Sequence, residues 1–155
     1  MITNRIHRGS GKTFLYRKLF SDDLFVHINQ DTLGTKAKCL KMAAEGLAAG
    51  KSVIIDNTNP DKSTRREYVK LAKKNSIPVR CFLFDIQKEI CSHNNAFREF
   101  FADEKQRVPG IAYRAFYSKY EAPEADEGFE DIIKIDWSPQ FESEEAKKAW
   151  NLFYL

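Results

Sequence analysis

Cysteine is scarce. There are three (Cys39, Cys81 and Cys91), an odd number, with no CxxC spacing and no histidine paired with them. A disulfide scaffold and a zinc site are both disfavoured, and the usage suits a reducing compartment. Long apolar runs are lacking too. Runs such as Ser52–Ile55 and Cys81–Phe84 span only four residues, against the roughly 20 residues that cross a bilayer, so no membrane partner is expected. Met1–Arg8 is polar and basic with no apolar stretch behind it, and no signal peptide is expected. There is little excess of one charge: 25 Lys+Arg against 22 Asp+Glu leave +3. That permits an anionic partner without demanding one, and it excludes a histone-like, purely electrostatic nucleic-acid binder. Glycine (7) and proline (5) are few and nowhere concentrated, so no linker divides the chain. There is no internal repeat and no low-complexity stretch. What remains is ordinary: 155 residues, 43% hydrophobic and 30% charged, the composition of one folded domain.

Short apolar runs alternate with longer amphipathic ones. Leu24–Ile28, Val53–Ile55, Val79–Phe84 and Ile132–Ile135 read as strands. Thr35–Ala49 reads as a helix with Ala37, Leu40, Ala44 and Leu47 on its apolar stripe and Gly50 as its stop. Asp61–Asn75 reads as a basic helix with Tyr68, Val69, Leu71 and Ala72 inward. Further helices are expected over Ile86–Phe101, Ile111–Tyr120 and Ser143–Leu155, the last capped by Ser143. Asp103–Gly110 reads as charged and irregular. Val- and Ile-rich strands alternating with helices imply βαβ units and a parallel sheet covered on both faces. Ligands of such sheets sit at the carboxyl ends of the strands.

Four stretches could carry chemistry there. Gly9-Ser10-Gly11-Lys12-Thr13 is the second half of a phosphate-binding loop. Its glycines let backbone N–H groups turn toward phosphates, Lys12 would reach the terminal phosphates, and the Thr13 hydroxyl would bind Mg²⁺. The leading glycine of that signature is replaced by Ile6. The strand that should feed the loop looks short or missing, because only Met1–Arg5 precede it. Asn29-Gln30-Asp31-Thr32-Leu33-Gly34 follows a strand, so Asp31 could take a proton from an attacking hydroxyl; otherwise Asp31 or Thr32 caps the next helix. Asp56-Asn57-Thr58-Asn59-Pro60 follows a buried strand. Asp56 could support Mg²⁺ or hold an acceptor; otherwise the segment is a polar turn. In His93–Glu99, Arg98 could close over a transferring phosphoryl group, as could Arg107 beyond it; otherwise Arg98 is a paired surface residue. His93 reads as a structural hydrogen-bonder. Lys62, Arg65, Arg66, Lys70, Lys73 and Lys74 form a basic run that could meet a phosphate backbone or simply be solvated. Tyr113, Phe116, Tyr117 and Tyr120 read as packing.

GSGKT, NQDTLG, VIIDNTNPD, VRCFLF and HNNAFRE stand here in the order found in the kinase module of eukaryotic polynucleotide 5′-kinase/3′-phosphatases, which the chain resembles from Gly9 to near its end. The resemblance implies an α/β fold of the P-loop kinase type: three α/β/α layers, a parallel sheet, one domain over 1–155 and a lid at about 92–110. It implies ATP and Mg²⁺ as cofactors and phosphorylation of DNA (or RNA) 5′-hydroxyl ends in strand-break repair, by a monomer in the nucleus or the mitochondrion. In that resemblance Gly9, Ser10, Gly11, Lys12 and Thr13 hold the nucleotide and Thr13 the metal. Asp31 is the general base, Arg98 the lid arginine, and Asp56, Asn57, Thr58 and Arg65 hold the acceptor. The family's phosphatase domain is expected to be absent. Two other outcomes stay open: a kinase of a small alcohol, and a non-catalytic DNA-end-binding remnant.

Overall fold

The computed structural model describes residues 2–5, 20, 24–101, 108–136, 138, 139, 141 and 143–152, with only the backbone at 2–5 and 98–101. Five strands form one parallel sheet: β1 (Ile2–Arg5), β2 (Phe25–Ile28), β3 (Ser52–Ile55), β4 (Arg80–Phe84) and β5 (Asp131–Ile135), in the order β2-β3-β1-β4-β5. The strand expected to be short or missing is present, short at four residues, and central. Ile2 pairs with both Ile54 and Arg80, and the ladder to β4 continues to Arg5 and Leu83. A central parallel strand is held by backbone bonds from both sides, so β1 needs little side-chain hydrophobicity of its own.

Among the described residues the α-helices are α1 (Gln30–Leu33), α2 (Lys36–Ala48), α3 (Lys62–Lys74), α4 (Lys88–Phe101), α5 (Gly110–Tyr117) and α6 (Glu144–Leu152). Local chemistry fixes their ends. Thr35 caps α2 by accepting the Lys38 amide, and Asp61 caps α3 by accepting the Thr64 amide at 2.6 Å. Burial alone would raise the Asp61 carboxyl, but hydrogen bonds from Ser63 and Thr64, with the Arg65 charge, bring it below the ordinary carboxylate range. Gly50, at φ 72, stops α2 in a conformation that favours glycine. Ser143 caps α6 through its hydroxyl, which accepts the Ala146 amide.

Side chains alternate across the sheet. Val26, Ile28, Val53 and Ile55 face α2 and α3 and meet Cys39, Ala43, Leu47, Tyr68, Val69 and Ala72. Burying each large aliphatic there contributes about 1.5–3 kcal/mol. The buried stripe of α2 is only partly the one expected: Leu47 is buried and Leu40 packs against the core. Ala37 is exposed, and Cys39, Ala43 and Gly46 lie inward. A β-carbon on Gly46 would come 3.0 Å from Val26 Cγ2 and 3.1 Å from Val53 Cγ2. Close approach of helix to sheet thus selects small residues over the more apolar alternatives. On the opposite face Phe20 packs edge-on against Phe25 and Phe82. The carboxyl-terminal helix docks on α4. Trp150 is buried, donates its indole N–H to Asn94 Oδ1 at 2.9 Å, and meets the His93 ring edge-on at 4.5 Å.

Candidate active site at the carboxyl edge of the sheet

The chain that leaves β1 re-enters the sheet at the β2 edge, while the later connections run back toward β5. The direction reverses at β1, and a crevice outside the carboxyl ends of the strands is where such sheets hold ligands. The segments following β2 and β3 both emerge at that edge, beside the end of β1.

Asp56 directly follows β3. Its amide donates to the Ile28 carbonyl at 2.8 Å, which extends the β2–β3 ladder one residue past the strands. Alternation sends its side chain to the face opposite α2 and α3, which is also the face of His27. His27 Nε2 lies 3.1 Å from Asp56 Oδ2. The residue is 3% exposed. A buried carboxylate needs partners, and here Asp56 is held rather than displayed as a polar turn would be.

Asn57 works in the opposite direction. Its Oδ1 accepts the Gln30 amide at 2.7 Å, and its Nδ2 donates to the Tyr68 hydroxyl at 3.3 Å. Asn29 Nδ2 donates to the Asp56 carbonyl at 3.2 Å. Asn57 and Asn29 thus stitch the segment after β2 to the segment after β3. Behind them, Tyr68 and Cys39 are fully buried. Burial pushes the Tyr68 phenol up to about 12, with the neighbouring Cys39 adding to it. Burial also raises the Cys39 thiol, against hydrogen bonds from Asn57 and Tyr68.

Asp31 sits on α1, a four-residue helix that periodicity could not reveal. Asn29 caps that helix, accepting the Asp31 amide at 2.8 Å, and Thr35 caps α2. Neither Asp31 nor Thr32 is spent on capping, and the exposed Asp31 stands at the edge. Thr58 is half-buried in the same loop as Asp56. Next to it Asn59, 2% exposed, adopts φ 38 immediately before Pro60. That is a strained backbone for any residue but glycine, and asparagine tolerates it best.

Arg65 is not an acceptor ligand. It is fully buried and pairs bidentately with Glu127, both N···O distances being 2.7 Å. Its other donors reach the carbonyls of Asn59, Pro60, Glu121 and Ala122. With those bonds made, the guanidinium has no face for a phosphate. Of the rest of the basic run, Lys62 is paired with Glu124 and Asp126, and Arg66, Lys70, Lys73 and Lys74 are exposed.

Gly9, Ser10, Gly11, Lys12, Thr13 and Arg107 lie outside the described residues, and Arg98 is described only as backbone on α4. Residues 92–101 of the expected lid belong to that helix. Asn95 holds the far end of the segment: its Nδ2 donates to the Val108 carbonyl at 3.0 Å and its Oδ1 accepts the Val108 amide at 2.9 Å. Gly110, expected to be irregular, begins α5.

The family model of the AAA domain matches residues 34–123, more than half of the chain. The chain belongs to the AAA domain family. This AAA-domain chain is 36% identical to the bifunctional polynucleotide phosphatase/kinase of Schizosaccharomyces pombe (strain 972 / ATCC 24843) over 94% of its own length and 35% of the relative's. A relative from Acanthamoeba polyphaga mimivirus, provisionally named for the same two activities, is 39% identical over 82% of this chain and 31% of its own. The chain spans about a third of the length of these relatives. Among solved structures, Chaetomium thermophilum Kti12, crystallised with ADP-AlF3, superposes with a TM-score of 0.70 at 16% identity, covering 99% of this chain and 96% of that one. The fold is that of the P-loop kinases.

Sequence reasoning singled out Asp31, Asp56 and Asn57 but missed the partners that fix them. His27 gave a signal: it lies two residues before Asn29, on the face that alternation assigns to Asp56. Tyr68 was assigned to packing, and only the tertiary structure brings its hydroxyl to Asn57.

Proposed function

We propose that the chain is an ATP-dependent kinase of polynucleotide 5′-hydroxyl ends. One observation carries the reading: two carboxylates, Asp31 and Asp56, stand at one sheet edge beside the end of β1, on segments tied together by Asn57 and Asn29. The kinship with polynucleotide phosphatase/kinases over 94% of the chain supports it. In the proposed reaction the 5′-oxygen attacks the γ-phosphorus of ATP. The bond to the β,γ-bridging oxygen breaks, ADP leaves, and the hydroxyl proton passes to Asp31. Asp56 and Thr58 hold the terminal nucleotide, and Asn57 keeps their loop in register with Asp31 rather than touching substrate. Gly9–Thr13 cradle the phosphates with Lys12, and Arg98 neutralises the transferring group. Little covalent chemistry is asked of the protein, which positions and neutralises. The Thr13 hydroxyl and the Asp56 carboxylate are hard oxygen donors of the kind Mg²⁺ takes. When bound, that ion supplies charge neutralisation on the phosphates. DNA-break repair in the nucleus, or in mitochondria, is the setting this reading implies.

The test is a panel of acceptors with labelled ATP and Mg²⁺: 5′-hydroxyl DNA, 5′-hydroxyl RNA, and small alcohols. Label on a polynucleotide 5′ end is expected. Label on the alcohols alone would make the chain a metabolite kinase, and oligonucleotide binding without any transfer would make it a binding remnant.

A further inference from the structure

α1 carries Asp31 and is a small element. It is four residues long and buries none of them; Leu33 packs against the core. So short a helix does not stand by itself in water. The first amides of a helix have no partner within it, and at α1 two side chains supply one. Asn29 Oδ1 accepts the Asp31 amide at 2.8 Å. Asn57 Oδ1, reaching across from the segment after β3, accepts the Gln30 amide at 2.7 Å.

Asn57 makes that bond with its amide one way round only, because an amide has an accepting end and a donating end. With Oδ1 on Gln30, Nδ2 donates inward to the Tyr68 hydroxyl, 3.3 Å away. Tyr68 is fully buried on α3. The Cys39 thiol of α2, also fully buried, lies within hydrogen-bonding reach of both. A hydroxyl is a good acceptor and a thiol a weak one. Without the Tyr68 hydroxyl, Nδ2 would face a ring edge and a weak acceptor, and a donor kept from water in that way is costly. Turning the amide out to water relieves the cost and takes the acceptor away from Gln30.

We infer that the Tyr68 hydroxyl is a positioning group for Asp31: through Asn57 it holds the start of α1, and with it the carboxylate, at the sheet edge. Being fully buried, Tyr68 acts at one remove and touches no substrate. Cys39 completes the pocket that receives the Asn57 amide. Its consequence for catalysis rests on the kinase reading, but the hold on α1 can be measured without turnover.

The experiment pairs single-turnover transfer from ATP to a 5′-hydroxyl oligonucleotide with the NMR shift of the Gln30 amide proton, at a temperature where every variant is folded by circular dichroism. Tyr68→Phe is expected to slow transfer about ten- to hundredfold, the cost of a small misplacement. ATP affinity should not change, and the Gln30 proton should move upfield as its bond is lost. Asn57→Asp supplies the second arm. A carboxylate has no wrong end, so adding Tyr68→Phe to that variant should leave rate and shift where Asn57→Asp alone puts them. A merely structural Tyr68 would lower the rate by the same factor in both backgrounds. That result, or a Gln30 proton unmoved by Tyr68→Phe, would overturn the inference and leave the kinase reading standing if the wild type transfers. A moved proton in a chain that transfers nothing would uphold the hold on α1 and overturn the kinase reading.

Discussion

Around β2 and β3 the side chains of His27, Asn29, Asn57 and Tyr68 bond to Asp56, to its loop or to one another. The groove between α4 and α5 is built the other way, with Lys88 and Arg114 standing outward beside an exposed ring. The first arrangement costs freedom in advance, so that reacting groups need no ordering later, as phosphoryl transfer requires. The second leaves Lys88, Ser92 and Arg114 exposed to solvent.

Substitutions can break or sharpen this contrast. The largest effect is expected at Arg65. Arg65→Met leaves Glu127, 6% exposed, as an uncompensated buried charge. The expected loss is about 3–5 kcal/mol of stability, measured by denaturant unfolding. An acceptor-binding role would instead leave folding intact and weaken substrate binding.

Tyr68→Phe comes next. It removes the acceptor of the Asn57 amide, for an expected loss of about 1–3 kcal/mol. It also has a signature in pH. The folded phenol ionises near 12, and the unfolded one near the ordinary value of about 10. Between those values the folded state holds a proton that the unfolded state has released. The contribution is therefore complete below about pH 10 and falls as pH rises toward 12. Unfolding midpoints of the wild type should drop across that window more steeply than those of the variant. Equal slopes would mean that Tyr68 is not the group responsible.

The smallest effect on stability is expected at Lys88. Lys88→Ala removes an exposed cation with no ion pair among the described residues and should shift stability by no more than about 0.5 kcal/mol. A loss like that at Arg65 would mean that the groove is a structural joint and would erase the contrast.

Much of this was legible in the sequence. Val53–Ile55 announced a buried strand because β-branched residues leave few alternatives, and Asp56 came with it as the next residue. Asp61, Thr35 and Ser143 stand at helix starts, and their side chains accept the backbone amide three residues on. The rest depended on contacts that sequence order hides. β1 is held by neighbours 52 and 78 residues away, Ile54 and Arg80 against Ile2, so its polar composition misled. Arg65 lies in a run of cations and looked like one of them; Glu127, 62 residues on, makes it internal. The inward face of α2 is set by the space that Val26 and Val53 leave, which favours Gly46 and Cys39 over Ala37.

The central claim is that Asp31 takes the proton from a polynucleotide 5′-hydroxyl. The direct measurement is single-turnover transfer from ATP to a 5′-hydroxyl oligonucleotide by the wild type and by Asp31→Asn. The residue is exposed and caps no helix, so the variant should fold and bind the oligonucleotide as the wild type does. Its rate should fall by about 10²–10⁴. An unchanged rate would contradict the account.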